Sequence, residues 1–222
     1  MTAEPSDQPA ELPNRLQRRK QRTRAALIQA AQVFIGAGKL NVPVLEITQA
    51  ADVGMGSFYN HFDSKEALFA AALNEVLDAH GALLDRITEP LDDPAEIFAS
   101  SFRLTGRLFR QRPQESRVLL ATGVLLMKSE RGLAPRALRD IVAAVGAGRF
   151  QVDDPALALA VAGGALMGLG QLLADEPDRD DAQAADRVTE DVLRLFGMNA
   201  DEAHEICRRP LPALDQSRSV EA

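Results

Sequence analysis

Residues 44–65, VLEITQAADVGMGSFYNHFDSK, constrain this chain more than any other stretch. Val44, Ile47 and Ala51 recur at the spacing of one helical face. The pattern breaks at Ala51-Asp52-Val53-Gly54. Asp tolerates a left-handed backbone and Gly tolerates any, so the spacing predicts a tight turn there. A second short stripe follows, Met55, Phe58 and Phe62, with Ser57, Tyr59, Asn60 and His61 on its other sides. Two short helices joined by a three-residue turn form the helix-turn-helix layout, whose second helix lies in the DNA major groove. That second helix spans only about 55–61, and isolated helices under roughly 12 residues are marginal in water. Packing of Phe58 and Phe62 therefore has to hold it.

Ile47, Ala50-Ala51, Val53, Gly56-Ser57-Phe58-Tyr59, His61-Phe62 and Ser64-Lys65-Glu66-Ala67-Leu68 carry a resemblance. In order and spacing they resemble the N-terminal DNA-binding signature of the TetR family of transcriptional regulators, over about residues 20–70. Thr48, Asp52 and Gly54 depart from the family pattern, and Val42-Pro43 replaces the Ser/Thr pair that usually opens the first of the two helices. Gly54 is still a passable N-cap, a few tenths of a kcal/mol below the better residues. The resemblance implies that Tyr59 and Lys65 hold DNA phosphate, while Met55, Gly56, Ser57, Asn60 and His61 present the recognition helix to the groove. Asn is chemically suited to adenine.

Strand signals are nearly absent, and Ala, Leu, Arg and Glu recur at helical spacing throughout, so the chain reads as all-α with about nine to ten helices. A net charge of −7 over 222 residues argues against DNA binding until its distribution is examined. Residues 15–65 carry eight Lys/Arg against Glu46, Asp52 and Asp63, a net of +5, which leaves −12 on the remainder. A basic head on an acidic body meets phosphate with one face only. Within the run Arg15–Arg24, taken alone a solvated helix start, Arg19, Arg22 and Thr23 become candidate phosphate contacts because a helix-turn-helix follows. Cys207 is the single cysteine, which excludes an internal disulfide framework and suits the cytoplasm, and the N-terminus lacks an apolar signal-peptide core.

The expected organisation is a disordered arm over 1–14 and a helix-turn-helix domain over 15–64. A helical effector-binding and dimerisation body follows over 65–208, with a disordered tail over 209–222. The first helix buries Leu27, Ala31 and Phe34, and a connecting helix over 65–88 carries His80 on its apolar face, a satisfied core or interface histidine. Further helices are expected at about 95–111, 114–127, 133–150, 155–174, 183–196 and 200–208. Phe98, Phe102, Arg103, Phe109, Met127, Met167 and Gln171 are candidate effector contacts, the apolar ones equally readable as plain core. Residues 155–174 match a membrane span in length, yet acidic pairs flank both ends with no Lys/Arg bias to orient them. Their glycines instead fit a closely packed subunit interface: Gly163, Gly164 and Gly168, with Val188, Val192 and Leu195 of the next helix.

No catalytic constellation is present in the sequence. His61, His80 and His204 are scattered, and His204 with Cys207 makes two ligands without a third. The reading is therefore a non-enzymatic, cofactor-free transcriptional repressor without membrane association. It binds a palindromic double-stranded operator as a homodimer and is released by a small apolar or amphipathic effector. An effector-independent DNA binder shares every head residue and differs only in lacking a pocket.

Overall fold

The computed structural model describes residues 15–123, 126 and 129–211. The arm expected over 1–14, most of the expected tail and the candidate contact Met127 lie outside them. Among the described residues there are ten helices and no strand. They are α1 (Arg15–Gly36), α2 (Val44–Ala50), α3 (Met55–Tyr59), α4 (Lys65–Thr88), α5 (Pro94–Gln111), α6 (Pro113–Thr122), α7 (Leu133–Gly146), α8 (Pro155–Asp175), α9 (Asp181–Leu195) and α10 (Ala200–Arg208).

The head forms where the α1 stripe Leu27, Ile28, Ala31 and Ile35 meets Ile47, Phe58, Phe62, Leu68 and Ala72. Between α2 and α3, Asp52 takes φ +52°, the only left-handed non-glycine residue among those described. Val53 N–H donates back to the Thr48 carbonyl at 3.0 Å, closing the turn. Gly54 caps α3 through its extended backbone alone, without a side-chain bond. The five-residue α3 is held by Phe58, fully buried, whose ring lies 6.2 Å from Phe62. Asn60 and His61 follow as a turn, so the recognition helix is shorter than the expected 55–61. Ser64 Oγ accepts from Ala67 N–H at 3.1 Å and starts α4; such a cap is worth roughly 0.5–2 kcal/mol.

Head and body share helices. The first half of α4 supplies Leu68, Ala72, Val76 and Leu77 to the head core, and its second half packs Leu83, Leu84 and Ile87 on Leu104 and Leu108 of α5. Val118 and Leu119 of α6 also enter the head core, and Leu126 joins them. A Cβ on Gly36 at the end of α1 would lie 3.0 Å from the Arg117 Cβ, so the two helices touch almost backbone to side chain.

The body core joins α5, α7, α8, α9 and α10. Phe98, Phe150 and Phe196 form its centre, with ring centroids 5.2–5.8 Å apart and two of the three contacts edge-on, the geometry aromatic quadrupoles favour. Two helix ends differ from the periodicity. The apolar run 118–127 does not continue one helix: α6 ends at Thr122, where Gly123 turns to φ +54°. Similarly α7 stops at Gly146; Gly148 takes φ +69° and Phe150 enters the core from the loop. Arg149 binds Asp93 and Glu202, and Arg209, where a free tail was expected to begin, pairs with Glu96 and Glu205.

Candidate DNA-binding surface and effector cavity

On the head, the apolar stripe of α3 splits. Phe58 faces inward while Met55 and Tyr59 are 41% and 61% exposed, beside exposed Gly56 and Asn60 and half-buried Ser57. Lys65 Nζ donates to Asn41 Oδ1 at 3.2 Å, which aims it along the α1–α2 loop. Arg19 and Arg22 are exposed on α1, and Thr23 turns its hydroxyl back to the Arg19 carbonyl at 3.1 Å. Lys20 and Arg24, not among the sequence candidates, join Gln17, Gln21 and His61 around one cleft between α1 and the end of α3. The signal was present: Gln17, Lys20, Gln21 and Arg24 lie at helical spacing on one face. Arg24 also stacks over the Phe62 ring at 5.4 Å. Partial burial and the charges of Lys20 and Arg24 hold the His61 pKa below its ordinary 6.5.

In the body, an apolar cavity of about 60 Å³, partly open to solvent, lies between α4, α5, α7 and α8. Leu77, Phe98, Phe102, Leu126, Leu166 and Met167 are among its walls. An adjoining lobe of about 50 Å³ shares Phe98, Phe102 and Leu166 and adds Ser101, Thr105, Arg136 and Asp140. An apolar chamber with a few convergent polar groups is the usual form of a small-molecule site.

The polar end is internally wired. Thr105 Oγ1 donates to the Ser101 carbonyl at 2.8 Å, so its lone pairs accept from His80 Nε2–H at 3.0 Å. That fixes His80 as the neutral Nε2–H tautomer. Burial, with the charges of Arg112 and Arg136, lowers its pKa to about 4. Burial pushes the Asp140 carboxyl upward although Arg139 Nε donates to it at 2.9 Å. Sequence reading missed Ser101, Thr105, Arg136 and Asp140; both pairs recur at i, i+4 and share helical faces with apolar residues.

Three expected effector contacts lie elsewhere. Arg103 turns away from the cavity, pairing with Asp186 at 2.7 Å and donating to the Ile206 and Arg209 carbonyls. It clamps α9 and α10 to α5. Phe109 is wedged against Gly170 of α8, where a Cβ would meet its ring at 2.8 Å, and does not line the cavity. Gln171 is exposed and donates to Asp175 on the outer side of α8.

The two faces of α8 are distinct. Ala162, Gly163, Leu166 and Met167 face the cavity, while Leu157, Val161, Gly164, Gly168 and Leu172 stay exposed. A Cβ added to Gly164 or Gly168 would meet nothing within 4 Å among the described residues. On α9, Leu195 is 70% exposed, but Val192 is buried against the chain's own core and Val188 is half-buried on it. Val192 is therefore not available to a partner. His204 Nδ1 lies 3.2 Å from Glu190, and burial raises the Cys207 thiol to about 12.

Comparison with known proteins gives a consistent result. A family model described as bacterial regulatory proteins, tetR family, matches residues 27–72. Another, described as tetracyclin repressor-like, C-terminal domain, matches residues 93–209. The HTH-type transcriptional repressor DhaR of Mycobacterium sp. (strain GP1) is 27% identical over 149 residues, 52% of this chain and 74% of DhaR. The HTH-type transcriptional repressor KstR2 of Mycolicibacterium smegmatis (strain ATCC 700084 / mc(2)155) is 34% identical over 77 residues, 33% of this chain and 38% of KstR2. The crystal structure of RolR with resorcinol is similar at TM-score 0.60 and 34% identity, covering 88% of this chain and 98% of that one. RolR without ligand is similar at TM-score 0.68 and 34% identity, covering 86% and 98%.

Proposed function

The chain belongs to the TetR family of bacterial transcriptional regulators, and from that premise we propose a ligand-responsive repressor whose effector is a small hydroxylated aromatic compound. The observation that carries this reading is the apolar chamber walled by Phe98, Phe102 and Met167 and ended by Ser101, Thr105, Arg136 and Asp140. Its apolar walls suit a ring. Its carboxylate, guanidinium and hydroxyls, though paired within the protein, keep the acceptor and donor capacity to meet ring hydroxyl groups. The resorcinol complex of RolR, similar over most of both chains, supports that class.

The remaining assignments follow the same division. Residues 15–64 bind DNA, and 65–208 bind effector and form the homodimer. Tyr59, Lys65, Arg19, Arg22 and Thr23 hold phosphate. Met55, Gly56, Ser57, Asn60 and His61 face the groove of a two-fold operator with half-sites about 34 Å apart or a small multiple of that. The α8 stripe around Gly164 and Gly168, with Leu195, forms the seam. The protein works in the cytoplasm, without cofactor or turnover.

The test starts by recovering DNA bound by the purified protein from fragmented genomic DNA. Operator affinity is then measured by fluorescence anisotropy with resorcinol, other small phenols and unrelated apolar compounds. Release by phenols alone is the expected result. An operator affinity and thermal stability indifferent to every compound would establish an effector-independent DNA binder instead.

A further inference from the structure

The connecting helix α4 is joined to the body by polar ties with a common property. Among the described residues, three of its side chains reach the body through hydrogen bonds or ion pairs. Asp78 pairs with Arg131 at 2.5 Å, His80 with Thr105 at 3.0 Å, and Asp85 with Arg136 at 2.9 and 2.5 Å. Arg131, Thr105 and Arg136 each line the cavity or its adjoining lobe. Every tie thus ends on a wall of the cavity or of its adjoining lobe.

The third tie is the most closely built. Arg136 gives two parallel N–H bonds to Asp85 and one more to the Gly132 carbonyl. Its guanidinium lies flat on α4 at Gly81, where a Cβ would fall 2.5 Å from Nη1. Gly132, at φ +75°, sits against Leu77 one turn earlier, again with no room for a Cβ at 2.9 Å. Leu77 and Leu84, beside these contacts, line the two lobes. Bidentate Arg–carboxylate pairs are strong and narrow in geometry, so this one admits little sliding of α4 past α7.

We infer that the Arg136–Asp85 pair is the latch through which occupancy of the cavity reaches the DNA-binding head. This rests on the ligand-responsive reading above. A guanidinium has a fixed set of donors. An acceptor oxygen placed in the polar lobe competes with Asp85 for them, and the α4 register set by that pair is released. A ligand shifts such an equilibrium only by its different affinity for the two arrangements, and competition for Arg136 supplies that difference. Arg136 and Asp85 are positioning residues: neither touches DNA.

The experiment has a ligand-free arm and a resorcinol arm, both on the full chain with recovered operator. Without ligand, Asp85→Asn and Arg136→Gln each lower operator affinity by about 5–150-fold, the usual range of allosteric coupling. The double variant loses no more than the larger single loss. Arg136→Lys, which keeps charge without the fork, falls between. Asp186→Asn breaks the Arg103 and Arg107 pairs on the α9 side of the body and keeps wild-type operator affinity. With resorcinol, wild type loses operator affinity and Asp85→Asn loses nothing further. Wild-type operator affinity in both ligand-free single variants overturns the latch, and so does an equal loss in Asp186→Asn, which marks general loosening. A wild type indifferent to resorcinol counts against the effector class alone, because the ligand-free arm still decides the latch.

Discussion

His80 and His61 both have depressed proton affinity, for reasons that lead to opposite experiments. His80 is buried and neutral, with a pKa of about 4 against 6.5 in the unfolded chain. Its folded value is the lower one, so its contribution is complete above pH 6.5 and is lost as pH falls toward 4. The difference amounts to on the order of 3 kcal/mol. Urea unfolding at pH 7 and pH 5 should show His80→Gln, whose amide still donates to Thr105, losing less stability over that interval than wild type. His61 is shifted chiefly by partial burial, then by Lys20 and Arg24 across the cleft. A DNA phosphate in that cleft opposes those charges and raises the pKa in the complex. Operator affinity should therefore be highest at acidic pH and decline as pH rises through the complexed value, with at most one proton linked. His61→Gln should flatten the profile between pH 5.5 and 7.5, and an unchanged slope would exclude His61 as the linked group. The resemblance over residues 20–70 made His61 a candidate DNA-binding residue from the sequence. Its neighbours were less legible, because Lys20 and Arg24 belong to a charged run in which every member looks alike until Phe62 places Arg24.

At the scale of elements, periodicity located the helices and failed where a helix has two apolar partners. The run after Val118 contains one interruption, Gly123, and only its left-handed backbone distinguishes it from a helical glycine. On α9, Val192 and Leu195 are both apolar, and sequence spacing does not tell a stripe for the chain's own core from one for a second copy; Val192 is the former. Sequence spacing offers Arg103 only as a candidate effector contact, because Asp186 and the Ile206 and Arg209 carbonyls that satisfy it are 83 or more residues away. The glycines of α8 also divide. Gly170 is pressed on Phe109 and Leu120, while Gly164 and Gly168 have open space outward. A glycine inside a helix costs roughly 1 kcal/mol relative to alanine, and among the described residues no close approach offsets that cost at 164 or 168. Gly164→Leu should leave the monomer folded with equal or higher melting temperature, and light scattering should show dimers lost along with operator binding. A Gly164→Leu dimer of wild-type affinity would put the seam on another face.

For the whole molecule, the charge division of +5 on residues 15–65 and −12 elsewhere separates the two ligands of the proposed function, operator at the basic end and effector in the body. Linkage ties them nonetheless. If an effector weakens operator binding by a given factor, operator must weaken effector binding by the same factor. Calorimetric titration of resorcinol into free protein and into protein saturated with operator duplex should give dissociation constants differing by that ratio. Equal constants would mean that the compound occupies the cavity without acting as an inducer.

The contact of α6 with α1 has a consequence for how such regulators can be recombined. Val118, Leu119 and Leu126 complete the core in which Leu27, Ile28 and Phe58 are buried, so the sequence boundary at 64 is not a boundary of packing. A fragment ending at residue 88 exposes that side of α1, and burial of a single large aliphatic side chain is worth about 1.5–3 kcal/mol. Fragment 15–88 should melt far below the full chain or remain unfolded by circular dichroism. Fragment 15–122, which retains Val118 and Leu119, should recover part of the difference. A hybrid that grafts this head onto a foreign sensor must carry the matching face of α6 with it. Lineages that exchange heads by recombination face the same constraint, and the compatible junctions are those that keep α1 and α6 from one parent.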